Sequence, residues 1–481
     1  MNIQALDRKY LLSIKILYLV LSIQFFTLHQ FRSIFATEKF NIDKSQLGFW
    51  MGLLLFLTFF TNVGIAALND KFNRPKSLLV VLLVTSCGFF QLFYIDGYTK
   101  NQSYIFWIVM FFYLMLNSSI IPIFDKITLE NLSKIPGIGA KTYGRQRMWG
   151  TIGYLIANFS VEKLAKKKEG EKTVYEFGKL QFFQIFSTIF ATFCTLTLIR
   201  SPNTRATTSN VSRGFMRLLS NMNYLFFILV IFLNGICRAS MTTYLSIYQT
   251  KILELKAYDV KIPIYLYPIK VFNDLPIFTC SFFGVLVEII LFFCSSAVTT
   301  IFGLYWPLLI AQFAALLRFF CYYLLPFDHN HVFLYSCVFE LLKGVNFGFT
   351  HISGVQLATL LCPAEVKATS QMIYYGVFVG VASMFSGIIF GPLFSTGKME
   401  DKNLPVSQKV PIFRNFFIFN IVLTLLAIGL FILKYGVSDK VLAFIPWKGA
   451  EKERKMAEKN QAEQEVIGGI EPQGKEEEAE V

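Results

Sequence analysis

Five ionisable side chains, Arg238, Glu288, Arg318, Glu340 and Lys343, fall well inside long apolar runs of this 481-residue chain. A charge at the centre of a bilayer costs roughly 2.5–3.5 kcal/mol on insertion scales, so such residues face a polar cavity or pair with one another. Glu340, Lys343, Phe347 and His351 follow at spacings of three and four, which puts them on one face of a helix. Gly344 and Gly348 form a GxxxG that lets a neighbouring helix approach. Arg145 and Arg147 open another apolar stretch, YGRQRMWGTIGY (143–154). Two residues apart on a helix, their side chains diverge by about 200°, so only one can face a cavity. His29 and Arg32 add basic groups to the first apolar run, and Arg32 can equally snorkel outward. The chemistry open to such a set is binding of a polar solute and, at the carboxylates, uptake and release of a proton. Among the five, three positive charges against two negative leave the set slightly basic.

Enzyme chemistry finds little to work with. No HExxH and no GxSxG is present, and the four His and eight Cys do not cluster, so neither a hydrolytic nor a metal site is expected. The cysteines are scattered singly, mostly within apolar runs, which excludes a disulfide framework. No cofactor is expected.

The elements that must position these residues are membrane helices. The chain is 54% hydrophobic and contains 53 Phe, too apolar for an ordinary soluble protein. Apolar runs approach or exceed the roughly 20 residues needed to cross about 30 Å of hydrocarbon. Twelve candidate spans lie near 11–36, 46–69, 77–95, 104–125, 143–161, 180–199, 223–249, 275–294, 302–325, 332–353, 371–396 and 413–434. Lipid offers no backbone hydrogen bonds, and the runs lack the alternation of barrel strands, so they are helices. The fold class expected is an all-α polytopic membrane protein of twelve transmembrane helices. No cleavable leader is expected, because the first apolar run is too long and lacks a small-residue cleavage site.

The net charge of +14 is no sign of nucleic acid, because basic residues gather in alternate loops, as the positive-inside rule requires. Lys71, Arg74 and Lys76 follow the second span, and Arg200, Arg205, Arg213 and Arg217 follow the sixth. These loops and both termini are expected in the cytoplasm. Segment 162–179 (EKLAKKKEGEKTVYEFGK) dissents, with six Lys against four Glu on the expected outer side. The polar linker divides the chain into halves at 1–199 and 223–434, with the linker at 200–222. The remainder, 435–481, forms a charged cytoplasmic tail, expected to be disordered beyond a short helix.

Twelve spans split six and six resemble the major facilitator superfamily, whose repeated halves enclose a central site. AALNDKFNRPK (66–76) resembles the superfamily's GxLADRxGRR signature, with Ala66 and Asn73 in place of its glycines. The resemblance assigns Asp70, Lys71 and Arg74 to a conformational-switch loop. CSSAVTTIFG (294–303), the matching loop of the second half, carries no charge.

Further motifs are similar to those of the lactose permease-like and nucleoside or oligosaccharide proton symporter group. Pro122-Ile-Phe-Asp125 and Gly144-Arg145-Gln146-Arg147-Met148-Trp149-Gly150 match its span-four P-x-x-[DE] and span-five GRxRxxG. The resemblance implies a charge pair, Asp125 with Arg147, that contributes to substrate binding, and Tyr154 at the aromatic that stacks on sugar. Counting opposes this for Asp125. It lies about 31 Å along span four at 1.5 Å per residue, at the inner rim. NIDKSQLGFWMG (41–52) resembles the group's span-one to span-two turn. VEIILFF, ALLRFF and ELLKGVNFGFTHISGVQ place Glu288, Arg318 and His351 in register with its spans eight, nine and ten.

Lys343 stands where the permease has the histidine that relays coupling. Glu288, Glu340, Lys343 and His351 are therefore the coupling candidates, and proton symport and facilitated diffusion both stay open. The resemblance implies a monomeric carrier of a small polar solute, a sugar, oligosaccharide or nucleoside, working by alternating access. The runners-up are an organic-anion transporter, because the site charges lean positive, and a solute sensor on a transporter scaffold. The partners are the solute, a proton if transport is coupled, and membrane lipid. The default compartment is the plasma membrane, with an internal membrane the other option.

Overall fold

The computed structural model describes residues 11–72, 74–95, 103–133, 143–169, 172–199, 218, 220–258, 267–362, 367–394 and 405–443. Most of the linker 200–222, and the tail beyond 443, lie outside the described residues.

The chain runs through helices α1 (Leu12–Phe25), α2 (Arg32–Phe40), α3 (Lys44–Phe72), α4 (Pro75–Gln91), α5 (Ser103–Ser118), α6 (Ile120–Ser133), α7 (Tyr143–Ala165) and α8 (Leu180–Leu198). After the linker come α9 (Met222–Lys251), α10 (Tyr267–Asp274), α11 (Pro276–Phe293), α12 (Ser295–Phe302), α13 (Tyr305–Leu324) and α14 (Val332–Leu360). The last are α15 (Lys367–Tyr375), α16 (Ala382–Phe394) and α17 (Val406–Phe431). Among the described residues nine helices are long and apolar enough to cross a membrane, and Leu12–Phe25 and Gln46–Asn62 are shorter apolar helices. α7 completes the twelve spans. It is long enough at 23 residues, but Arg145, Arg147, Glu162 and Lys163 lower its apolarity.

Several spans are not the single α-helices that continuous apolar runs suggest. Span one breaks at 26–31 between α1 and α2, and span four at Ser119 between α5 and α6. Span eleven winds into a π-helical turn at Gly376–Val381 between α15 and α16. Helix starts follow local chemistry. Pro75 and Pro276 occupy the first turns of α4 and α11, where a missing N–H costs nothing. The Asn221 side chain accepts the backbone N–H of Asn223 and Tyr224 to cap α9.

α8 displays the solvent that the exterior is built for. Its Gln184, Thr188, Ala191 and Thr195 are buried, whereas Phe182, Phe186, Ile189, Phe190 and Phe193 are 55–70% exposed. Both sets recur at helical spacing, with the apolar face outward, the inverse of a soluble helix and the pattern of one facing lipid.

The two six-helix halves meet along close helix contacts. α3 lies on α16 so tightly that a Cβ on Gly52 would come 2.3 Å from the Ser383 carbonyl oxygen. Gly344 does use its small size, as its GxxxG suggests: a Cβ there would come 2.1 Å from the Gly284 carbonyl oxygen of α11.

The lysine-rich segment after α7 is the one β element described. β1 (Lys166–Glu169) pairs antiparallel with β2 (Lys172–Tyr175), Lys166 opposite Tyr175. α7 itself continues to Ala165, four residues past the span expected from apolarity. This hairpin adjoins the start of α8, whose other end at Leu198 precedes the 200–222 linker.

Candidate functional site

A cavity of about 190 Å³ opens between the halves. α1, its broken continuation at 26–31, α6 and α7 wall it from one half, and α9, α11, α13 and α14 from the other. Arg147, Tyr154, Arg238, Glu288, Arg318, Glu340, Lys343 and His351 all form part of its wall. Asp125 does not. It stands one bond behind, where its carboxylate accepts from Arg147 and from the Tyr18 hydroxyl at 2.7 Å. Its place outside the wall agrees with the count along span four, and its pairing with Arg147 agrees with the motif resemblance. The two α7 arginines divide as helical geometry requires: Arg147 reaches the cavity, while Arg145 is exposed, 5.6 Å from the centre of the Phe293 ring.

Glu340 is held by three side-chain hydrogen bonds. Arg318 donates to its Oε1 from two nitrogens, at 2.6 and 3.1 Å, and the Tyr322 hydroxyl at 2.9 Å. Lys343 Nζ stands 3.9 Å from the other oxygen. Removing one partner from such a buried set would strand a charge, so this cluster reads as a locked joint between α13 and α14. Glu288 is held far more lightly, by the Thr151 hydroxyl at 3.3 Å, with Lys343 and Arg147 the opposite charges around it. Phe347 stacks on His351 at 4.1 Å between ring centres.

Sequence reasoning missed a polar seam down α7 and α11. Thr151 meets Glu288. Tyr154 donates to Gln30 Oε1 at 2.9 Å and lies 3.3 Å from Ser281 Oγ, to which Asn158 also donates at 3.3 Å. At the hairpin end, fully buried Glu162 accepts the backbone N–H of Ile277 at 3.3 Å and of Phe278 at 2.5 Å. Those are first-turn amides of α11, which no carbonyl within that helix can satisfy. A carboxylate of one half thus caps a helix of the other. The signal was present in the sequence: 151, 154, 158 and 162 recur every three or four residues along one helix face.

Hairpin-side contacts between the halves continue at Lys166 Nζ with the Asp274 carbonyl oxygen, 2.6 Å, and Lys251 Nζ with Glu38, 2.9 Å. Of the switch-loop residues, Asp70 and Lys71 lie in α3 with side chains outside the described set, and Arg74 is exposed before α4. Among the described residues no group of His, Cys, Asp and Glu could hold a metal ion.

Comparison with known proteins places this architecture. A family model described as the MFS_1 like family matches residues 11–401. The chain is 23% identical over 367 residues to an uncharacterized transporter, YwbF, of Bacillus subtilis (strain 168), covering 75% of this chain and 81% of that protein. A crystal structure of the nucleoside transporter NupG superposes with a TM-score of 0.65 at 17% identity, over 87% of this chain and 98% of the other. A bacterial homologue of the human lysosomal transporter Spinster, in an inward-facing and unoccupied conformation, superposes with a TM-score of 0.58 at 14% identity, over 93% and 98%. At such identities these two likenesses show the fold alone. With twelve membrane helices in two halves and a family match across most of its length, the chain is a multi-pass membrane solute transporter belonging to the MFS_1 like family of the major facilitator superfamily.

Proposed function

We propose that the protein carries a sugar, oligosaccharide or nucleoside through the inter-half cavity by alternating access. The observation that carries this reading is the cavity itself, walled by both halves and bordered by eight of the residues singled out from sequence. Residues 1–199 and 223–434 act as the two moving halves, with 200–222 as a cytoplasmic linker and 435–481 as a cytoplasmic tail. Arg147, positioned by Asp125, and Tyr154 bind the solute from one half, and Glu288 and Lys343 from the other. Glu340 and Arg318 hold α13 against α14, so that the second half moves as a unit.

The hairpin-side contacts support a state closed on that face, with solute exchanged on the other. Glu288 is the better proton carrier of the two cavity acids. Its one described hydrogen bond comes from a neutral hydroxyl, so protonation there breaks no ion pair like that of Arg318 with Glu340. Purified protein in proteoliposomes, given labelled uridine, adenosine, glucose and lactose with a pH dye in the lumen, tests the reading. Saturable uptake of at least one solute is expected. Retention no greater than in protein-free vesicles for all of them, and equally for adenosine monophosphate, glucose 6-phosphate and glucuronate, would refute it.

A further inference from the structure

The cations of the cavity are not equally provided for. Arg147 has Asp125, and Arg318 and Lys343 share Glu340. Arg238, midway along α9, has no carboxylate partner among the described residues. Its guanidinium donates to the Phe378 carbonyl oxygen at 3.3 Å and lies 4.9 Å from the centre of that ring, and its Nε is buried without a hydrogen-bond partner. Arg32 repeats the situation. Its Nε is also buried and unpartnered, and Tyr113, Arg238 and His29 are among the ionisable groups in electrostatic range of it. Those around Arg238 include Tyr374 and Tyr375, phenols that are neutral near pH 7. His29, in the break between α1 and α2, lies in electrostatic range of Arg32, Arg238 and Lys343.

Backbone geometry adds to the same sign. Arg32 is the first residue of the nine-residue α2, where the helix dipole already presents positive charge. A lone guanidinium at that end, inside a membrane protein, is unfavourable twice over. Two such groups repel one another in a medium that screens poorly. Arg238 and His29 form cavity wall, so a negative group entering the cavity can reach them. Phe26 and Tyr154, packed edge to face at 4.9 Å beside His29, offer apolar surface to the rest of a solute docked there.

We infer that Arg238 and His29, with Arg32 behind them, form an anion subsite, and that the transported solute carries a carboxylate or phosphate group that docks on it. This rests on the reading of the cavity as the solute site and narrows the solute class. The competing role for Arg238 is structural: clamping the π-helical turn through Phe378.

Binding to the purified full-length protein is measured by calorimetry with paired solutes: adenosine against adenosine monophosphate, and glucose against glucose 6-phosphate and glucuronate. In at least one pair the anion binds tenfold or more tightly than its neutral counterpart. Arg238→Gln brings that ratio to within twofold, and Arg238→Lys restores part of it. Melting temperature and elution profile identify any variant that fails to fold, and Arg32→Gln then supplies the same reading. The inference is overturned if no anion binds better than its neutral counterpart. It is overturned equally if Arg238→Gln weakens both members while leaving the ratio intact, as the clamp would have it. The phosphate and carboxylate arms distinguish which anion is used. Failure of the wider reading is separate and shows as absence of flux for every solute, neutral or anionic, in proteoliposomes.

Discussion

Two arginines two residues apart have opposite environments, and their substitutions should separate cleanly. Arg147 reaches the cavity and pairs with Asp125, whereas Arg145 is exposed beside Phe293. The Arg147 side chain is 32% exposed, so the pair is worth less than a fully buried one. A charged hydrogen bond contributes about 1.5–3 kcal/mol, or roughly ten- to hundredfold in affinity. Arg147→Ala should weaken solute binding by about that factor, and Arg145→Ala by less than about twofold; equal losses at equal expression would contradict the assignment. The two acids of the second half should separate as well. Glu288→Gln should fold normally and remove any substrate-driven proton uptake recorded with a pH dye. Glu340→Gln leaves Arg318 buried with a weaker partner and should lower the melting temperature. Proton uptake unchanged in Glu288→Gln would remove it from coupling. These pairings were legible in part. Asp125 with Arg147 was implied by the resemblance to the symporter group, and Glu340 with Lys343 by helical periodicity. Tyr18 and Tyr322 were not legible as carboxylate partners, because which hydroxyl reaches an acid depends on how helices far apart in sequence pack.

At the scale of elements, the twelve spans could be read from hydrophobic runs, because lipid leaves the backbone no other solution. Their interruptions could not. The break at 26–31 lies in SIQFFTLHQF (22–31), apolar enough to pass for continuous helix, and the π-turn at 376–381 has no marker but two glycines. The hairpin at 166–175 was hidden for another reason. Its strands are four residues each and lysine-rich, with no alternation to betray them. Glu162, counted from sequence only as a charge that diluted lysines, proves to be a cap in trans on α11. Losing a helix cap costs about 0.5–2 kcal/mol, which here would fall on the hairpin-closed state. Glu162→Ala should shift the population toward opening on that face by roughly two- to thirtyfold. A cysteine replacing Ser246, on a background without reactive native cysteines, would report this as faster labelling by an impermeant thiol reagent from the hairpin side. An unchanged rate would mean that the cap does not hold the gate.

For the whole molecule, the proposed topology has the hairpin on the outer face and the 200–222 linker in the cytoplasm. Cysteines at Lys167 and Thr207 should therefore label from opposite sides in intact cells, Lys167 from outside or, in an internal membrane, from the lumen. The central claim is that the two halves must part on the hairpin face for the solute to cross. Glu38 and Lys251, one from each half, are ion-paired there at 2.9 Å, and neither forms part of the cavity wall. Cysteines at these two positions, on the same background, can be joined by a short bifunctional thiol reagent in proteoliposomes. Uptake should fall to the protein-free level in proportion to the cross-linked fraction, persist when either cysteine is present alone, and return when a reducible linker is cleaved. Undiminished uptake at complete cross-linking would show that the hairpin face does not open during transport, and would contradict the account.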